Sequence, residues 1–221
     1  MNIVTGSSGG LGKSVYNLFV KNSLPVVGID INKSETCDLI LDLSKNNFED
    51  LTNTLGETKI DSITFCHAIG NSVEEINKYS LDDYLKINAL SSLDLYNFLK
   101  KNLSENSSLS FISSIHAIST NKQSSRYAVS KALLESIFKM MCLDENTPKL
   151  NLIRLGAVDT SMLHKNISDI DSLRDSIPSK EILEPDEVAG LIYDIHTKHS
   201  SLLNKAILQI DGGALFKLST D

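Results

Sequence analysis

Short apolar runs alternate with helical stretches along this chain from its second residue to residue 210. The runs are "NIVT" (2–5), "PVVGID" (25–30), "DLIL" (38–41), "DSITFCH" (61–67), "SLSFISS" (108–114), "LNLIRL" (150–155) and "AILQI" (206–210). They are nearly continuous rather than strictly alternating, the pattern of strands covered on both faces. Helical periodicity fills the gaps at about 11–21, 47–55, 80–102, 125–143 and 185–197. Alternation of this kind predicts an α/β fold, a three-layer sandwich with one doubly wound parallel sheet of about seven strands. With 221 residues the chain has room for one such domain, taken as 1–221. The polar stretch 156–184 is long for a connection, and is expected to be a lid over substrate or a partly helical insertion.

Composition narrows the classes of partner. The formal net charge is −7 and no block of five or more basic residues occurs, which suits neither nucleic acid nor an anionic membrane. No apolar run approaches about 18 residues, so no membrane span is expected. The opening "MNIV" lacks the features of a secretory leader, so a cytoplasmic protein is expected. Cys37, Cys66 and Cys142 are odd in number and scattered, reading as reduced packing thiols. His196 and His199 stand three apart near a helix end with no further ligands at a suggestive spacing, so they read as a solvated terminus and no metal is expected.

The first strand feeds "TGSSGGLG", and a helix follows at once. Glycines there permit a tight turn and close approach of backbone to a pyrophosphate, while the helix N-terminus offers free N–H groups and partial positive charge. Two spacings fit. Gly6, Gly10 and Gly12 satisfy TGxxxGxG, and Gly6, Gly9 and Gly12 satisfy TGxxGxxG. The next strand ends at Asp30, 18 residues after Gly12, near the position of a carboxylate that grips ribose hydroxyls. Such a carboxylate repels a 2′-phosphate, so NAD is expected in preference to NADP, with Lys33 as the nearest counter-argument. Asp42 in "LDLS" reads equally as an adenine contact and as a cap for the helix after it.

"SSRYAVSKALLESIFKMM" places Tyr127 and Lys131 four apart, on one face of a helix. An ammonium held close to a phenol favours the phenolate, so Lys131 is expected to lower the Tyr127 pKa and suit it to proton transfer near neutrality. Ser114 ends the strand "SLSFISS" 13 residues before Tyr127, where its hydroxyl can meet a carbonyl oxygen; Ser113 is left to the turn. The helix opening with the capping pair Ser80 and Asp83 runs an apolar stripe through Leu81, Tyr84, Leu85, Leu95 and Leu99, and Asn88 falls on that stripe. A buried amide needs partners.

This set resembles the short-chain dehydrogenase/reductase family over nearly the whole chain. "RLGAVDTSM" (154–162) is similar to the family's PG-x-V-x-T segment, and "QIDGG" (209–213) to the ending of its compact single-domain branch. The resemblance implies a Rossmann-type NAD(P)-binding domain and hydride transfer between nicotinamide and a secondary alcohol or ketone. It implies Tyr127 as acid/base, Lys131 as its partner and a holder of nicotinamide ribose, Ser114 as the group orienting the substrate oxygen, and Asn88 as the support of a water relay. The cofactor would meet Gly6, Ser8, Gly10, Leu11, Gly12, Asp30, Asp42, Leu43, Ala68, Tyr127, Lys131, Gly156, Val158 and Thr160. It also implies a homodimer or homotetramer packed through the helices at 80–102 and 125–143.

The sequence departs from that pattern in places. "CHAI" (66–69) stands where the family has Asn-Asn-Ala-Gly, with Gly70 next, and Leu155 stands where Pro is usual. His116 and His164 lie beside the expected site as candidate substrate contacts. Asn121, Lys122, Gln123 and Arg126 suggest a polar lining and so a small hydrophilic, sugar-like substrate. Two rival readings are a sugar-nucleotide epimerase or dehydratase with recycled NAD, which would make no net NADH, and a non-catalytic dinucleotide-binding scaffold on the same fold.

Overall fold

The computed structural model describes residues 1–120, 124–198 and 202–218. Asn121, Lys122, Gln123 and His199, named above, lie outside the described residues. In chain order the elements are β1 (Asn2–Thr5), α1 (Gly10–Lys21), β2 (Val26–Asp30), β3 (Leu39–Ile40), α2 (Glu49–Leu55), β4 (Ile60–Phe65), α3 (Val73–Lys78), α4 (Leu81–Leu85), α5 (Ser91–Leu99), β5 (Leu103–Ser114), α6 (Ser125–Met141), β6 (Lys149–Leu155), α7 (Ser161–Asn166), α8 (Ile170–Ser176), α9 (Pro185–Thr197), β7 (Ala206–Ile210) and α10 (Ala214–Leu218). The seven strands form one sheet in the order β3-β2-β1-β4-β5-β6-β7, and every pairing is parallel.

Two apolar layers cover this sheet. On one face Ile3, Ile63, Phe65, Leu109, Phe111 and Leu152 pack under α2, α5 and α6. The Phe65 and Phe111 rings stack there at 4.6 Å between centres. On the other face Val4, Ile112 and Ile153 pack against Val15 and Phe19 of α1 and Val188, Ile192 and Ile195 of α9. Burial on both faces is why the strands read as continuous apolar runs.

The sheet order reverses direction beside β1: the chain builds outward to β3, then returns to place β4 on the other side of β1. Ligands of open α/β sheets bind at such a switch point, beyond the carboxyl ends of the strands. The ends of β1, β2, β4, β5 and β6 open there onto one large cavity of about 1140 Å³.

The helix expected over 80–102 is not continuous. The pair Ser80 and Asp83 does form a reciprocal capping box. A π-helical turn over Lys86–Leu90 then separates α4 from α5, and Leu81 is exposed rather than on the buried stripe. Such turns frequently mark functional sites, and this one carries Asn88.

Candidate active site

Thr5 ends β1, and Gly6 turns the chain with φ +68°, a conformation that favours glycine. A Cβ on Gly6 would lie 2.7 Å from both N and Cα of His67. The two glycine spacings now separate. A Cβ on Gly12 would stand 2.1 Å from the Gly6 carbonyl oxygen, and one on Gly10 would stand 2.6 Å from Thr160 Cγ2. A Cβ on Gly9 would stay 3.3 Å from the Gly6 oxygen. The backbone therefore demands glycine at positions 6 and 12, and the Thr160 side chain crowds position 10. α1 begins at Gly10, and Gly6, Ser8, Gly10, Leu11 and Gly12 line the cavity. A turn stripped of Cβ atoms at a helix N-terminus is fit to hold a pyrophosphate.

Asp30 ends β2 in the same wall. Its Oδ2 accepts from the Ser8 N–H at 3.0 Å and its Oδ1 from the Asn32 N–H at 2.8 Å. The carboxylate is thereby fixed against the glycine turn, with lone pairs left for ribose hydroxyls. Lys33 and Ser34 share this wall. Asp42 satisfies one of its two readings: Oδ1 caps the short 3₁₀ turn Leu43–Lys45 through the Ser44 N–H at 3.0 Å. Asp42 and Leu43 also line the cavity, so an adenine contact is compatible with the cap.

Ser114, Tyr127 and Lys131 converge across the cavity. Ser114 is the last residue of β5; its Oγ accepts from the His116 N–H at 3.2 Å, and it lines the same wall of the cavity as Tyr127. Lys131 stands one turn beyond Tyr127 on α6. Its Nζ donates to the Ile112 carbonyl at 2.9 Å and lies 5.6 Å from the Tyr127 ring centre.

The expected lowering of the Tyr127 pKa does not appear. Burial pushes Tyr127 up to about 12, the neighbouring Ser114 hydroxyl only partly opposes this, and the nearby Glu75 carboxylate adds to it. Burial likewise pushes Lys131 down to about 8, against the opposing pull of Cys66 and of Glu135. Both groups share one poorly solvated site, and desolvation sets the direction of both shifts. At neutral pH Tyr127 is a protonated donor.

Asn88 is buried, as its place on the stripe predicts, and both of its amide hydrogens are engaged. Oδ1 accepts from the Ile69 N–H at 2.8 Å, and Nδ2 donates to the Ile69 carbonyl and to Ser130 Oγ, each at 3.0 Å. The side chain thus clamps the 66–70 segment to α6, with one lone pair of Oδ1 left over. This clamp also explains how Ile69 replaces a glycine: its backbone is held by the amide without a positive φ. Gly70 is held in turn by the Glu75 carboxylate and by the Tyr84 hydroxyl. A Cβ on Gly70 would crowd Met162 Cγ at 2.9 Å.

The segment 156–184 is partly helical. Its base is closed by a bridge between Val158 and Leu183, with the Leu183 N–H donating to Ala157 and the Asp159 N–H to Leu183. Thr160 caps α7. Gly156 lies against Asp211, and Ala68, Gly156, Val158 and Thr160 all line the cavity. Leu155 continues the strand by pairing with Ile210.

Two sequence-based contacts need correction. His164 does not line the cavity: the turn of α7 aims Met162 and Leu163 inward, and His164 pairs instead with Asp159 at 2.6 Å on the exposed side. Arg126 also turns away, donating to the carbonyls of Ile76 and Tyr79 at 2.7 and 2.8 Å. His116 does line the cavity, edge-on to Tyr127 with ring centres 6.1 Å apart. Sequence reasoning passed over Ser113 and its buried neighbours. Ser113 Oγ donates to Glu135, which is held two-pronged by Arg154 at 2.7 and 3.0 Å. Among the described residues no cluster of three or more His, Cys, Asp or Glu could hold a metal ion, and no helix is long and apolar enough to cross a membrane.

Known proteins are similar to this chain in sequence and fold. The family model described as Enoyl-(Acyl carrier protein) reductase, adh_short_C2, matches residues 10–214. An uncharacterized short-chain type dehydrogenase/reductase of Sinorhizobium fredii is 23% identical over 96% of this chain, which spans 43% of that protein's length. L-xylulose reductase of Caenorhabditis elegans is 22% identical over 96% of this chain and 94% of its own. The crystal structure of a short chain dehydrogenase family protein from Francisella tularensis superposes with a TM-score of 0.83 at 25% identity, covering 96% of this chain and 97% of that one. With the family model spanning most of the sequence, the chain belongs to the short-chain dehydrogenase/reductase family of NAD(P)-dependent oxidoreductases.

Proposed function

We propose that this protein uses NAD to interconvert a secondary alcohol and a ketone on a small polar substrate. The observation that carries this reading is that Ser114, Tyr127 and Lys131 face, in one cavity, the glycine turn at the head of α1. NAD, when bound, supplies the nicotinamide that gives or takes the hydride. Gly6, Ser8, Gly10, Leu11 and Gly12 hold its pyrophosphate side, Asp30 its ribose, and Asp42 with Leu43 its adenine side. Ala68, Gly156, Val158 and Thr160 bound the nicotinamide end. Ser114 orients the substrate oxygen. Tyr127, protonated at neutral pH, gives it a proton in the direction of carbonyl reduction. Lys131, with a proton held less tightly than in a free lysine, would hold the nicotinamide ribose. Asn88 acts as the clamp of the surrounding backbone. The segment 156–184 forms the wall that keeps water from the reacting atoms.

The choice of NAD rests on the fixed Asp30 carboxylate, which opposes a 2′-phosphate. A polar substrate is supported by Asn71, His116, Ser119, Thr120 and Ser124 in the wall beside Tyr127, and by the similarity to a protein named L-xylulose reductase. Assembly into a dimer or tetramer is supported by Phe98, Val129, Met140 and Leu143, which are exposed on or just beyond α5 and α6. Calorimetric titration of the protein with NAD and NADP side by side tests the cofactor reading. NAD should bind at least tenfold tighter; tighter NADP binding would transfer the role to Lys33.

A further inference from the structure

His67 ends the segment after β4, where the sequence departs from its family. Its ring joins three elements. Nδ1 lies 2.6 Å from Thr5 Oγ1, at the last residue before the glycine turn. Nε2 lies 2.8 Å from Ser91 Oγ, at the first residue of α5. Ser91 Oγ in turn donates to the Ile87 carbonyl at 2.8 Å, inside the π turn that carries Asn88. Gly6 rests on the His67 backbone, where a Cβ would come within 2.7 Å.

The hydrogen bonds fix the tautomer. The single hydroxyl hydrogen of Ser91 is spent on Ile87, so Ser91 accepts from His67, and the proton sits on Nε2. Nδ1 is then an acceptor, and the Thr5 hydroxyl donates to it in preference to the Thr64 carbonyl at 3.4 Å. The ring stays neutral because it is poorly solvated and faces the Lys131 ammonium, which together hold its pKa down to about 3. The Phe65 ring stands edge-on to it at 6.4 Å, and His67 also lines the cavity.

We propose that His67 is a positioning residue: as the Nε2–H tautomer it registers the glycine turn against the π turn, and so sets the geometry in which a dinucleotide is held. This role rests on the cofactor reading above. It acts through Thr5 and Ser91 rather than by touching the reacting atoms.

The two ring nitrogens can be replaced one at a time. In His67→Asn the amide atoms sit at the δ position and can still meet Thr5. In His67→Gln they sit at the ε position and can still meet Ser91. His67→Leu meets neither. The test is titration of the full chain with NADH, followed by nicotinamide fluorescence, together with urea unfolding of each variant. His67→Asn and His67→Gln each keep only one of the two links, so each should weaken binding roughly tenfold, and His67→Leu should weaken it at least as much. Binding by the Asn or the Gln variant equal to the parent's would overturn the role. A second readout holds even where a variant fails to fold. Nitrogen NMR of the parent should show His67 as the neutral Nε2–H tautomer from pH 5 to about 9, and a protonated Nδ1 in that range would overturn it. A parent that binds neither NADH nor NADPH overturns the cofactor reading itself and this role with it. A parent that binds, with a Leu variant that binds equally well, overturns only the role of His67.

Discussion

Replacing Gly12 by alanine sets two forces against each other. Gly12 lies in α1, and glycine in a helix costs about 1 kcal/mol relative to alanine. By local preference alone the substitution stabilises. The packing says otherwise, because the new Cβ would lie 2.1 Å from the Gly6 carbonyl oxygen and 2.7 Å from its carbon. Gly6 is itself pinned, donating to the Ile29 carbonyl at 2.8 Å and accepting from Gly9 at 3.0 Å. To clear the contact, the turn and the start of the helix must part by roughly 1 Å, a displacement that can cost about 100-fold where geometry governs function. NAD affinity should therefore fall about 100-fold, near 2.7 kcal/mol, measured by calorimetric titration alongside urea unfolding. Gly190→Ala is the control. Gly190 lies inside α9 with nothing near its would-be Cβ, so that variant should gain about 1 kcal/mol of stability with NAD binding unchanged. A Gly12→Ala protein that binds NAD within threefold of the parent and is more stable would refute the crowding argument.

Further outcomes follow from buried charge. Glu135→Ala leaves Arg154 buried without its two-pronged partner and should cost about 3–5 kcal/mol in urea unfolding, most of it recovered in Glu135→Leu with Arg154→Met. Stability should also fall with acid. Burial holds both His67 and His196 down to about 3. Each takes up a proton on unfolding below its ordinary value near 6.5, so their contribution is complete above that pH and is lost as pH falls toward 3. Each histidine adds a slope of about 1.4 kcal/mol per pH unit inside that window, and His196→Gln should remove its share of the slope between pH 6 and 4.5.

The sheet was legible because burial on both faces writes itself into sequence as continuous apolar runs, and all seven strands lie where those runs occur. β5 begins earlier than its apolar run, at Leu103, because the polar residues "SENS" join the strand at its irregular edge with β4. The break in the helix over 80–102 left no trace in the periodicity. A π turn adds one residue, and Asn88 within it is held by Ile69, 19 positions away. α7 and α8 are too short to show a period, although their caps Thr160 and Asp169 are residue types that begin helices.

Within the site, Gly6, Gly10, Gly12, Asp30, Ser114, Tyr127 and Lys131 were legible because each sits at an element's end or at a fixed helical spacing. His67 was visible only as a departure, since its meaning depends on Thr5 and Ser91, which lie 62 and 24 positions away. The direction of the Tyr127 shift was misread for a related reason. The spacing of Tyr127 and Lys131 places a cation beside a phenol, but the degree to which both are removed from water is a property of the folded cavity.

The central claim is that Tyr127 transfers the proton while the glycine turn holds NAD. It is tested most directly by following NADH consumption with a panel of small polyhydroxy ketones, using the parent and Tyr127→Phe, with the NADH affinity of each measured in parallel. The account predicts that the parent reduces at least one of them, and that Tyr127→Phe binds NADH within threefold of the parent but turns over roughly 1,000-fold more slowly, the scale of positioned acid–base catalysis. A Tyr127→Phe protein that reduces the same ketone at the parent's rate would contradict it.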